Sequence, residues 1–200
     1  MAKTPDLNPR KSPRQARAAE TVRIILEAAA RILEARGLDG FNTNAVAERA
    51  GVSIGSLYQY FPGKDALTAA LIRADGEVLL REMAAAAILP QIRAALSGMI
   101  AAAVGHQLRR PVLARLLDIQ ENRLPLGEAQ EEKAGELQSL LAQVLARVDP
   151  PAGLPVETAA ADIFAIVRGM IDHAGERQEL DAPALQARVE RAVFGYLGLT

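Results

Sequence analysis

The chain contains no cysteine and no tryptophan. The first absence removes disulfide scaffolds, thiolate zinc sites, iron–sulfur clusters and a cysteine nucleophile together. Histidine occurs only twice, as His106 and His173, so imidazole chemistry has just two possible centres. Glycine and proline, 15 and 11 in 200 residues, are too sparse for a collagen-like or wholly disordered chain. Nowhere do about 18 consecutive apolar residues occur, and the first twenty are polar with Pro5, Pro9 and Pro13, unlike the apolar stretch of a signal peptide. A soluble, cytoplasmic protein is expected. Period-two alternation of β-branched residues is nearly missing too, which leaves little material for a sheet.

What is present favours helix. Half of the residues are hydrophobic, alanine and leucine are abundant and aromatics reach only 4%, so the expected fold is all-α with about nine helices. The net charge of −1 conceals a split. Through Lys64 the chain carries ten Lys/Arg and six Asp/Glu, whereas the remainder carries thirteen against eighteen. A basic front joined to an acidic back points to two tasks, with a polyanion as partner of the front.

Along the chain, Lys3, Arg10, Lys11, Arg14 and Arg17 are interleaved with prolines in a stretch without apolar periodicity, which reads as a flexible basic arm over 1–19. Such an arm can enter a minor groove; a solvated tail has the same composition. From Val22 the residues Ile25, Leu26, Ala29, Ile32 and Leu33 recur at spacings of three and four, and Gly37 ends that helix. Two short helices precede Pro62. Longer ones are expected over 64–87, 91–107, 111–122, 128–147, 156–174 and 183–198, punctuated by Pro90, Pro111, Pro125 and the Asp149–Gly153 stretch.

The segment between Phe41 and Lys64 carries the chemistry. Asn42 can cap a helix through its side-chain oxygen, and Gly51 supplies the positive φ that stops it. Ser53 caps the next helix at once, with Val52 and Leu57 at the positions of a hydrophobic staple. Leu57 and Phe61 continue a buried stripe, and Pro62 closes the segment. Two short helices around a glycine turn are a helix-turn-helix, although a plain helical hairpin would share the spacing. Ser53, Gly55, Ser56, Gln59 and the phenol of Tyr58 or Tyr60 then lie on the exposed side. Gly55 permits close approach, Ser56 and Gln59 can reach base edges, and Ile54 can touch a thymine methyl. Thr43, the tyrosine hydroxyls, Lys64 and helix N-terminal N–H groups would hold phosphates.

The run from Ala47 to Leu67, with Ile25 to Ala29 and the Arg36-Gly37 helix end upstream, closely resembles the DNA-binding motif of the TetR family of bacterial transcriptional regulators. The resemblance covers about residues 20 to 67. It implies a helix-turn-helix DNA-binding domain over 20–64 and an effector-binding and dimerisation domain over 65–200. The implied function is that of a homodimeric repressor released from a palindromic operator by a small-molecule effector. By position, Thr43 is similar to the family's phosphate-contacting threonine, Lys64 to its phosphate-binding lysine, and Ser53, Ile54, Gly55, Ser56, Tyr58, Gln59 and Tyr60 to its recognition-helix contacts. Two departures are visible. Asn42 stands where many members have threonine, and Ile54 where relatives are often polar or basic.

Beyond the motif, the helix over 156–174 carries Ile163, Val167, Met170 and Ile171 on one side, and the last helix carries Leu185, Val189, Val193, Tyr196 and Leu197. Faces this wide exceed one intrachain contact, and the resemblance implies a four-helix dimer bundle there. His106, Gln107, Arg168, Asp172 and His173 are polar residues on apolar helices and hence candidates for orienting a ligand. Neighbours such as Asp172 and His173 point about 100° apart on a helix and do not jointly hold an ion, so no metal or other cofactor is expected. With no local triad and no phosphate-cradling Gly-x-x-x-x-Gly-Lys loop, neither is catalysis. A second reading of the same scaffold is a nucleoid-associated or partner-regulating DNA-binding protein. Its mark would be many scattered chromosomal sites and no small-molecule release.

Overall fold

The computed structural model describes residues 16–147 and 154–199, apart from the side chains of residues 16 and 127–131. Lys3, Arg10, Lys11 and Arg14 of the expected arm, and the Asp149–Gly153 stretch, lie outside the described residues. Among the described residues there are nine helices and no strand. They are α1 (Ala16–Gly40), α2 (Thr43–Ala50), α3 (Ile54–Tyr60), α4 (Lys64–Ala87), α5 (Ile92–Arg109), α6 (Pro111–Arg123), α7 (Gly127–Leu145), α8 (Val156–Glu176) and α9 (Ala182–Leu197). None of them is long and apolar enough to cross a membrane. Helix α1 begins before Val22, so Arg17 lies on its first turn; the expected start followed the apolar stripe, which residues 16–21 lack.

The chain divides into two compact units, Met1–Asp75 with Leu116–Leu126, and Gly76–Arg115 with Gly127–Thr200. The first is built on the face of α1 that periodicity marked, with Ile25, Ala29 and Leu33 fully buried. Phe41, Val46, Leu57, Phe61 and Leu67 complete its core from α2, α3, α4 and the loops between them. Helix α2 packs on both α1 and α3. Leu116, Leu117 and Leu124 return to this unit from far along the chain and are buried in it. Arg123 there donates to the Asp65 carboxylate in the first turn of α4 at 3.0 Å.

Gly37 interrupts α1 with φ 62 and ψ −167, a region essentially closed to residues with a side chain. The turn it makes delivers Phe41 to the core. Gly37→Ala is expected to cost about 1–3 kcal/mol of stability, because a Cβ there meets no neighbouring atom and the penalty is backbone strain alone. Urea titration of the full chain measures it, and an unchanged midpoint would show that the turn relaxes freely.

In the second unit, α7 packs on α8, and α5 packs on α7, α8 and α9 around a core that includes Leu96, Met99, Leu145, Ile163 and Leu185. Small residues let helices approach: a Cβ on Gly98 would come within 2.9 Å of the Ala86 side chain, and one on Gly175 within 2.9 Å of the Gln107 amide nitrogen. Arg147 donates to the Ala87 carbonyl at the end of α4 at 2.5 Å and to the Leu89 carbonyl just beyond it at 2.9 Å. Arg93 lies over the Phe194 ring and donates to the Leu199 carbonyl at 3.0 Å, tying α5 to the end of α9.

Candidate nucleic-acid interface

Local hydrogen bonds fix the angle between α2 and α3. Asn42, in extended conformation, accepts from the Ala45 N–H at 2.9 Å and so caps α2. At the other end Gly51 adopts φ 68, ψ 28. Its N–H donates to the Glu48 carbonyl and the Val52 N–H to the Ala47 carbonyl, both at 3.1 Å, which is the paired arrangement of a Schellman stop. Ser53 then accepts from the Ser56 N–H at 3.0 Å to cap α3. Leu57 and Phe61 are buried beneath α3, and the Phe61 N–H donates to the Leu57 carbonyl at 2.9 Å. A helix of seven residues is too short to persist alone, so these caps and the buried stripe hold it.

The opposite side of α3 faces outward. Ser53, Ile54, Gly55, Tyr58 and Gln59 are exposed, while Ser56 and Tyr60 are half-buried. The Thr43 and Tyr58 hydroxyls lie 3.2 Å apart, joining the first residue of α2 to the middle of α3. The Ser53 and Ser56 hydroxyls pair with each other at 2.8 Å. Asn42, besides capping, donates its amide to the Gly40 carbonyl at 3.3 Å. Lys64 donates to the Leu38 carbonyl at 3.1 Å and lies over the Phe41 ring, 5.4 Å from its centre. In this structure the lysine therefore braces the turn after Gly37, an engagement 26 residues distant that spacing does not reveal. Arg49, exposed in the last turn of α2, is a further cation on this unit. At that position its charge complements the helix dipole.

The candidate ligand-orienting residues fall in different environments. Gln107 is buried against Gly175, and His106 is half-buried with its Nδ1 removed from solvent. Arg168 and Asp172 pair across one turn of α8 at 3.4 Å, and His173, its side chain 65% exposed, lies 3.4 Å from Glu176. Among the described residues no cluster of three His, Asp or Glu side chains is arranged to hold a metal ion. Burial raises the Asp172 carboxyl above its ordinary value of 3.8, and the Arg168 guanidinium offsets this only in part. The folded chain then holds that proton more tightly than the unfolded chain does. Stability from this group is therefore lost as pH rises from 3.8 through the raised folded value. Asp172→Asn is expected to remove that slope, so the variant gains on the wild type across the window. Thermal melts between about pH 3 and about pH 7 test this, and parallel profiles would show that Arg168 cancels the burial.

A capped α2, a left-handed glycine stop and an outward-facing α3 on a buried stripe make the helix-turn-helix, and sequence comparison places it. The model of bacterial regulatory proteins of the tetR family matches residues 25–71, and that of the tetracyclin repressor-like C-terminal domain matches residues 91–197. The chain belongs to the TetR family. Solved structures share its fold at low identity. A transcriptional regulator from Rhodococcus sp. Rha1 is 23% identical, with a TM-score of 0.74 over 88% of this chain and 95% of that one. The fatty acid degradation regulator FadR from Bacillus halodurans is 17% identical, with a TM-score of 0.71 over 86% and 97%. A SmeT–triclosan complex is 17% identical, with a TM-score of 0.65 over 88% and 90%. No curated protein matches the chain. For this TetR-family regulator the two family models cover residues 25–71 and 91–197, so the DNA-binding motif and the helices after Pro90 are accounted for by one family.

Proposed function

We propose that this TetR-family regulator is a homodimeric repressor that occupies a palindromic operator and leaves it when a small molecule binds the second unit. The observation carrying the proposal is the outward arc of α3, rigidly mounted and furnished with small or neutral hydrogen-bonding groups suited to a major groove. Thr43, paired with Tyr58, and the cation Lys64 flank that arc and would meet phosphates, which position a protein without reading sequence.

Dimerisation is supported by the half-exposed apolar residues Phe164, Val167 and Met170 of α8 and Tyr196 and Leu197 of α9. A second copy would cover them and set two α3 helices about 34 to 36 Å apart, one turn of duplex. An effector acts by favouring a separation that no longer fits, a population shift that requires it to bind the two states unequally. The SmeT–triclosan complex supports an apolar effector for a chain of this fold.

The test is a gel shift of the full-length protein on the intergenic DNA upstream of its gene, with sedimentation to count subunits. Candidate apolar ligands are then titrated into the complex. A ligand that calorimetry shows to bind, yet that leaves operator affinity unchanged, speaks against the coupling. If every such ligand behaves that way, the nucleoid-associated reading takes its place.

A further inference from the structure

The groups on α3 that look alike in sequence are unequal in the structure. The Ser53 hydroxyl is taken by the helix cap and by Ser56, so both serine hydroxyls turn toward the start of the helix. The Tyr58 hydroxyl is directed at Thr43. No Lys, Arg, Asp or Glu occurs from Ser53 to Tyr60. What else faces outward is Ile54, 37% exposed, and Gly55 at the start of the helix, the Tyr58 ring, 41% exposed, in its middle, and Gln59 near its end.

At about 100° per residue, Ile54, Tyr58, Gly55 and Gln59 occupy in that order an arc of about 140°. Gly55 lies inside the arc, and a Cβ placed on it would meet nothing nearer than the Ser53 hydroxyl at 3.9 Å. The surface is thus a shallow notch at Gly55, with Ile54 and the Tyr58 ring on one side and the Gln59 carboxamide on the other. An outward-facing isoleucine at the first position of this helix suits a surface that supplies a methyl group. In the major groove only thymine does so. A carboxamide finds its two-point match in the N6 and N7 of adenine, whereas the guanine edge is most often read by the Arg or Lys that this helix lacks.

We propose that α3 reads an A·T step: the C5 methyl of a thymine packs on Ile54, and an adenine across the Gly55 notch takes the Gln59 amide. The inference rests on the DNA-binding reading above and names the chemistry of the bases that this reading leaves open. It makes Ile54 a determinant of sequence choice.

Duplexes selected by the full-length protein from a randomised pool are resynthesised with deoxyuridine at each thymidine in turn, which deletes only the methyl, and with 7-deazaadenine at each adenine. At one thymidine per half-site the wild type is expected to lose about fourfold in affinity, the worth of one buried methyl, and about fifteenfold when both half-sites are changed. Ile54→Ala weakens binding to the unmodified duplex and becomes indifferent to that substitution, while Gln59→Ala keeps the methyl dependence and loses sensitivity to 7-deazaadenine. Far-UV dichroism is unchanged in both, since neither side chain belongs to the core. If Ile54→Ala retains the same uracil sensitivity, or no thymidine matters in a duplex that is bound specifically, the proposal falls while DNA binding stands. A pool from which nothing is enriched, together with no binding to any duplex at low salt, overturns both.

Discussion

Phe61→Ala is expected to lower the stability of the first unit by about 3–5 kcal/mol, and with it operator binding. Phe61 is among the largest fully buried side chains, and it closes α3 at the point where Pro62 prevents the helix from continuing. Truncation removes a ring that is 1% exposed, and the cavity it leaves adds to the lost burial. Because α3 spans only seven residues, it has no stability of its own to offset the loss. Denaturant titration with amide exchange at α3 resolves the effect. A change below about 0.5 kcal/mol would place Phe61 with surface positions and contradict the packing described.

Gln59→Ala and Lys64→Ala are expected to separate reading from gripping. Loss of a two-point contact with a base is worth about 1–3 kcal/mol, or roughly 5- to 150-fold, on the preferred duplex, and almost nothing on a scrambled one. Lys64→Ala should weaken both duplexes alike and flatten the salt dependence by about one counterion. The structure adds a second consequence for Lys64. Its ammonium satisfies the Leu38 carbonyl, so the substitution also costs about 0.5–1.5 kcal/mol of stability in the absence of DNA. Titrations at several salt concentrations, paired with thermal melts, distinguish these contributions. Equal losses for Gln59→Ala on both duplexes would remove it from the readers.

Much of this architecture is legible in the residues. Local signals place α2 and α3 because each boundary has its own chemistry: an amide cap, a glycine in the left-handed region, a serine cap and a proline. The apolar stripe of α1 identifies Ile25, Ala29 and Leu33 as core. The start of α1 escapes because Ala16 to Glu20 favour helix by propensity, without an apolar face to announce it. Longer-range pairings are invisible for a different reason. Periodicity says that a face is buried but not what buries it, so neither the Arg123–Asp65 link, 58 residues apart, nor the seating of Gln107 on Gly175 has a local precursor. The interface suffers the same limit. Sequence shows that Ser53, Ser56 and Tyr58 are polar, whereas only coordinates show which hydroxyls are already committed to one another.

The first unit is not contiguous: residues 116–126 belong to it although some forty residues of the other unit intervene. On a ribosome the amino-terminal portion therefore emerges before the segment that completes its hydrophobic interior. Leu116, Leu117 and Leu124 arrive late, and Arg123 finds Asp65 only then. A reading head excised at Lys64 or even Asp75 lacks those side chains, which makes the intact polypeptide, rather than a minimal fragment, the natural object for affinity measurements.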